Sequence, residues 1–185
     1  MGKFIGGIIF TLLVIAIGGY CFLKFGMFNA AADQTPSRLE RRMAGTAVDA
    51  SVEKRAADLK NPLEATDANL TEGMHIYVQN CAGCHGSPKE PDAVFGGAFN
   101  PHAPQFMKRA PDMPDNENFY IIKHGVRMTG MPAWGKLYDD DKLWKVTTFL
   151  SHMDKLPAAA DQEWKSPAAP NPPPAAEAKT DTKKK

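Results

Sequence analysis

Apolar and polar positions divide the chain into four stretches. From Phe4 to Leu23 no charge interrupts the run, and Lys3 and Lys24 bracket it. Twenty helical residues at about 1.5 Å each match a hydrocarbon core of roughly 30 Å. Gly6, Gly7, Gly18 and Gly19 lie inside the run, where a membrane helix tolerates them. The run is longer than the apolar segment of a signal peptide, about 7–15 residues, which favours a retained anchor over a cleaved leader. Ala30-Ala31-Ala32 is the feature that supports cleavage. Cys21 follows the bulky Tyr20, unlike a lipoprotein processing site, and reads as an apolar helix residue.

Residues 26–65 are weakly patterned and predict a linker, partly helical. Val48, Val52 and Leu59 fit one face of a short helix, with Ala56 between them, and Asn61-Pro62 ends it. Residues 66–156 carry three stronger helical patterns. Asp67 to Asn80 places Leu70, Met74, Tyr77 and Val78 on one face. Asn116 to His124 follows Asp115, a predicted N-cap, and stops at Gly125. Asp140 to His152 follows Asp139, another predicted cap, and aligns Leu143, Trp144, Val146, Thr147 and Leu150. No strand pattern of similar quality occurs, so the predicted class is all-α. Residues 157–185 shift to Pro, Ala and charged residues and end in three lysines. Only Trp164 offers much to a core there, so a disordered tail is predicted.

Composition narrows the function. The 185 residues suffice for one domain, not two substantial ones. A net charge of +1 argues against a nucleic-acid-binding surface spread over the chain. Three cysteines exclude a disulfide-dense scaffold. Residues 66–156 hold nine Lys/Arg against eleven Asp/Glu, which makes that region slightly acidic.

The densest chemistry is Cys81-Ala82-Gly83-Cys84-His85. C-x-x-C-H is the signature of covalent haem attachment. Its spacing lets two thiols reach the two vinyl groups of one porphyrin as thioethers, while the next side chain projects an imidazole at the iron. A structural zinc site needs four ligands, and no second C-x-x-C exists. A thioredoxin-like pair needs a βαβ setting, which the pattern lacks. A six-coordinate iron needs a ligand on the other face. Met131, 46 residues beyond His85, precedes Pro132 and is held extended by it; Met128 is a competitor three residues earlier. Thioether ligation raises the reduction potential.

The region from Thr66 to Leu156 resembles class I monohaem cytochromes c. Gly73 and Tyr77 precede Cys81–His85, and a middle helix, Met131-Pro132-Ala133-Trp134 and a final helix follow in order. The resemblance implies one covalent haem c, with His85 as proximal and Met131 as distal ligand to iron, alongside Cys81 and Cys84. It also implies that Gly73 and Tyr77 pack against Trp144 or Phe149. An acceptor for the ring N–H of His85 is expected near Pro101 or Pro104. Arg127 and Trp134 are candidates for haem propionates, against plain exposure and packing respectively. His102 and His124 fit exposed roles better than ligation, and His75 has no evident partner. Lys108, Arg109 and Lys123 suit a docking face or, by default, a solvated one.

The expected function is one-electron transfer, not catalysis. Expected partners are a quinol-oxidising complex or dehydrogenase as donor and a terminal oxidase or reductase as acceptor. A haem-based sensor or enzyme with a displaceable ligand, and a fixed relay subunit of a larger complex, are the alternatives. Lys24, Arg38, Arg41 and Arg42 against Lys3 favour a cytoplasmic domain by charge alone. Cytochromes of this resemblance instead carry the domain outside the cytoplasmic membrane, so a periplasmic or extracytoplasmic domain is expected.

Overall fold

A computed structural model describes residues 2–166. It divides at Gln34 into an N-terminal unit and a larger C-terminal one. The N-terminal unit is dominated by α1, Gly2–Lys24, which has no buried residue. Its 23 residues extend about 35 Å. The hydroxyl of Thr11 donates to the Gly7 carbonyl at 3.0 Å, so this polar side chain is satisfied within the helix. Among the described residues this helix alone is long and apolar enough to cross a membrane.

The second unit is all-helical. In order come α2 (Arg38–Ala56), α3 (Asp67–Asn80), α4 (Ala82–His85), α5 (Val94–Gly97), α6 (Asp115–His124), a 3-10 turn (Trp134–Lys136), α7 (Asp140–His152) and α8 (Ala158–Lys165). Extended pairing among the described residues is limited to one bridge, Ser87 with Glu90. Thr66 caps α3 by accepting from the Asn69 amide, and Asp139 caps α7 by accepting from the Lys142 amide. Gly125, at φ +67°, ends α6.

The core forms where α3 crosses α7. At Gly73 an added Cβ would lie 2.1 Å from the Lys145 carbonyl oxygen and 3.0 Å from Phe149 Cβ. Only a glycine allows the backbones so close. Tyr77 and Phe149 are fully buried beside that crossing, with ring centroids 5.4 Å apart. Phe149 is therefore the partner of Tyr77, while Trp144 stacks on Phe119 at 3.8 Å and 6°. Such aromatic pairs contribute about 0.5–1.5 kcal/mol beyond area burial. The hydroxyls of buried Thr147 and Thr148 donate to the carbonyls of Leu143 and Trp144, which keeps them compatible with the core.

Four expectations need correction. Residues 26–65 are not a linker throughout: Val52 and Ala56 of α2 are buried, and Asn116 donates to the Ala56 carbonyl at 2.9 Å. Asn61 then bridges Asp115 at 2.8 Å and Thr148 at 3.0 Å. That bridge accounts for the second correction. Asp115 is the first residue of α6, Pro114 occupies the cap position, and the Asp115 carboxylate serves Asn61. Third, the predicted disordered tail of residues 157–185 begins too early. Residues 158–165 are helical, and Trp164 is 7% exposed, edge-on to Tyr77 and Phe149. The rest of that predicted tail, from residue 167, lies outside the described residues. Fourth, His75 has a partner, Glu163 of α8, at 2.6 Å.

Candidate haem-attachment site

The C-x-x-C-H motif continues from α3 as a second short helical turn. The Cys81 amide still donates to the Tyr77 carbonyl, and the Cys81 carbonyl then receives the amides of Cys84 and His85. Gly86 breaks the turn at φ +87°. Its carbonyl accepts from the Tyr77 hydroxyl at 2.7 Å, which fastens the end of the motif to the buried core.

His85 is held on three sides. Its Nδ1 lies 2.9 Å from the carbonyl oxygen of Pro104. A carbonyl can only accept, so Nδ1 carries the hydrogen and Nε2 keeps its lone pair. The Phe106 ring stacks on the imidazole at 4.5 Å and 5°, and the Phe106 amide donates to the His85 carbonyl at 2.9 Å. Of the two prolines expected near the acceptor position, Pro104 supplies it. Burial disfavours the charged imidazolium and lowers the His85 pKa, while the Pro104 carbonyl pulls the other way. The neutral ring that results is the form that ligates a metal.

Cys81 and Cys84 are free thiols. Burial, reinforced by nearby Cys84, pushes the Cys81 thiol up to about 12, and burial also raises Cys84. Neither shift suits a thiolate redox pair, which depends on a depressed pKa. Among the described residues no three His, Cys, Asp or Glu side chains gather to hold a bare metal ion.

The methionine loop follows α6. Gly125 lies so close to it that an added Cβ would be 2.6 Å from the Met131 carbonyl oxygen. The Val126 amide donates to that oxygen at 3.2 Å. Thr129 accepts from the Met131 amide at 3.1 Å and donates to the Val126 carbonyl at 2.8 Å. The two candidate methionines differ sharply in environment. Met131 is half-buried against the core cluster, whereas Met128 is 91% exposed with φ +59°. Trp134 is half-buried near Tyr138, and its indole N–H meets no acceptor among the described residues.

The remaining polar residues are accounted for differently. His102 is exposed, and exposed His124 lies against Tyr120. Arg127 is exposed. Lys108 pairs with Asp92, Arg109 with Asp112 and Lys123 with Asp140, so each charge of the suggested docking face is locally matched. Sequence reasoning missed Gln105 and Phe106. Neither has a spacing relation to C-x-x-C-H, and only the returning loop brings them there.

The set fits a haem: two thiols on one turn, a neutral imidazole oriented through Nδ1, and a half-buried thioether in a separate, hydrogen-bonded loop. Residues 68–150 match the family described as cytochrome C oxidase, cbb3-type, subunit III. No solved structure matches the chain. With the helical fold and the Cys81-Cys84-His85 turn, that match makes the region a class I c-type cytochrome domain, a module of electron transfer.

Proposed function

We propose that the protein is a membrane-tethered one-electron carrier with a single covalent haem c. The observation that carries this reading is the His85–Pro104 hydrogen bond inside a C-x-x-C-H turn, which leaves Nε2 available for iron. Cys81 and Cys84 would hold the group as thioethers, and His85 and Met131 would supply the two protein ligands to its iron. When bound, the haem supplies a reversible Fe(III)/Fe(II) couple.

The chain's own residues set the properties of that couple. Pro104 keeps the imidazole oriented and increases its basicity. The Thr129 hydrogen bonds hold the Met131 backbone in place, and the thioether raises the potential. With both ligands drawn from the protein, His85 and Met131 would keep a substrate from the iron. Trp134 has a free donor for a haem propionate, and Arg127 offers a charge from the same loop region. The α1 helix, Phe4–Leu23 at its uncharged centre, anchors the domain to the cytoplasmic membrane, with the haem domain on its periplasmic side.

The donor is a quinol-oxidising complex or dehydrogenase and the acceptor a terminal oxidase or reductase. A second reading is favoured by the matched family's description, which names an oxidase subunit: a relay fixed within such a complex. Mild solubilisation of membranes separates the two. A free carrier's haem migrates alone, and a fixed relay's migrates with a large complex.

Absorption spectra of wild type, Met128→Ala and Met131→Ala, with and without carbon monoxide, test the ligand set. The expected result is a low-spin wild type with an Fe–S(Met) charge-transfer band that only Met131→Ala loses. A high-spin wild type that binds carbon monoxide readily would replace the carrier with a ligand sensor or enzyme.

A further inference from the structure

Three consecutive residues grip the haem-attachment turn from one side. Pro104 accepts from the His85 ring, and Phe106 stacks on that ring and donates to the His85 carbonyl. Gln105 lies between them and uses both ends of its side-chain amide. Its Nε2 donates to the carbonyls of Cys84 and Ala103, each at 2.9 Å. Its Oε1 accepts from the Ala93 amide at 2.8 Å. The same Cys84 carbonyl is so close to Gly96 that an added Cβ there would lie 1.9 Å from it. The Gly96 carbonyl in turn receives the Ala103 amide at 2.9 Å. One side chain therefore ties together the haem-attachment turn, the start of α5 and the segment that carries Pro104.

We propose that Gln105 is a positioning residue for the haem ligand: by fixing the Cys84 carbonyl relative to its own backbone, it sets the Pro104 oxygen against His85 Nδ1. This rests on the haem reading above. The physical reason is geometric. Pro104 has no side-chain tether of its own, and a hydrogen bond weakens steeply when its angle opens. Gln105 supplies the missing constraint between the two halves of that bond. Without it, the Pro104–His85 bond lengthens and the imidazole becomes a weaker donor to iron. The ferric state then loses more stabilisation than the ferrous state, and the reduction potential rises.

The test uses the full-length protein with its haem, in detergent. Gln105→Leu removes all three side-chain bonds at similar volume. Gln105→Glu keeps the acceptor for Ala93 and, as a carboxylate, loses both donors. Asp92→Asn loosens the same loop by breaking the 2.7 Å pair with Lys108 and serves as control. Two quantities are read: the midpoint potential, and the exchange rate of the His85 Nδ1 hydrogen by NMR in the ferrous protein.

The expected result is a higher potential and several-fold faster exchange in both Gln105 variants, with both quantities unchanged in Asp92→Asn. A Gln105→Leu protein with wild-type potential and exchange overturns the proposal, even if it melts earlier. If Gln105→Leu attaches no haem, Gln105→Glu decides by the same two readings. If neither attaches haem, circular dichroism decides: retained helix supports positioning, and lost helix assigns Gln105 a structural role and overturns it. Failure of the haem reading is distinct, because the wild type itself would then lack the haem spectrum.

Discussion

The hydroxyl of Tyr77 donates to the carbonyl oxygen of Gly86 at 2.7 Å and joins the most buried part of the helix crossing to the residue after His85. Tyr77→Phe leaves that carbonyl without its donor and costs about 1–3 kcal/mol at neutral pH. Burial, followed by the neighbouring Cys81 and Cys84 sulfurs, raises the Tyr77 pKa far above its ordinary value of 10.0. The sign follows from the unfolded chain, where the phenol ionises first. Stability held by the neutral phenol is complete below pH 10 and is lost as pH rises toward the folded value. Thermal melts should place Tyr77→Phe below wild type at pH 7, with the gap narrowing above pH 10. A gap constant with pH would show that the phenol is not held neutral by the fold.

Gly73 is required by space, not by flexibility. Gly73→Ala forces the new methyl against the Lys145 carbonyl and separates α3 from α7, at a cost of about 1–3 kcal/mol. Gly45→Ala in α2 meets nothing within 4 Å and should stabilise by about 0.5–1 kcal/mol through helix propensity. Denaturant unfolding of the two variants should move in opposite directions.

Trp164 makes α8 part of the core. Its ring lies 5.7 Å from Tyr77 and 5.3 Å from Phe149, both edge-on, and Glu163 beside it pairs with His75. Trp164→Ala should cost about 3 kcal/mol and release α8. Limited proteolysis should then cut near Pro157 well before the rest of the domain. Equal resistance in the variant would place Trp164 outside the stabilising core.

Met128 holds a left-handed backbone with an exposed side chain. A left-handed conformation costs a non-glycine residue about 1–2 kcal/mol. Met128→Gly should raise stability, by about 0.5 kcal/mol after the added chain entropy of glycine, and leave the absorption spectrum unchanged. Loss of the Fe–S(Met) band in this variant would transfer the ligand assignment from Met131 to Met128.

Sequence alone determined the features set by short-range periodicity and spacing. The uncharged run of α1 and the span Asp67–Asn80 follow from hydrophobic patterning, and the cap at Asp139 and the stop at Gly125 follow from local backbone chemistry. The thiols and imidazole of Cys81, Cys84 and His85 lie within five residues, so their grouping needs no tertiary contact. Tertiary structure decided the partners. His85 meets Pro104 from 19 residues away, and Asn61 reaches Thr148 across 87, so chain closure selects each pair. Phe149 over Trp144 as the neighbour of Tyr77 depends on the helix crossing at Gly73. Trp164, in a stretch whose composition predicts no structure, becomes buried only because Tyr77 and Phe149 offer an apolar surface to cover. Local chemistry fixes which groups are present and which helices carry them; packing fixes what each one touches.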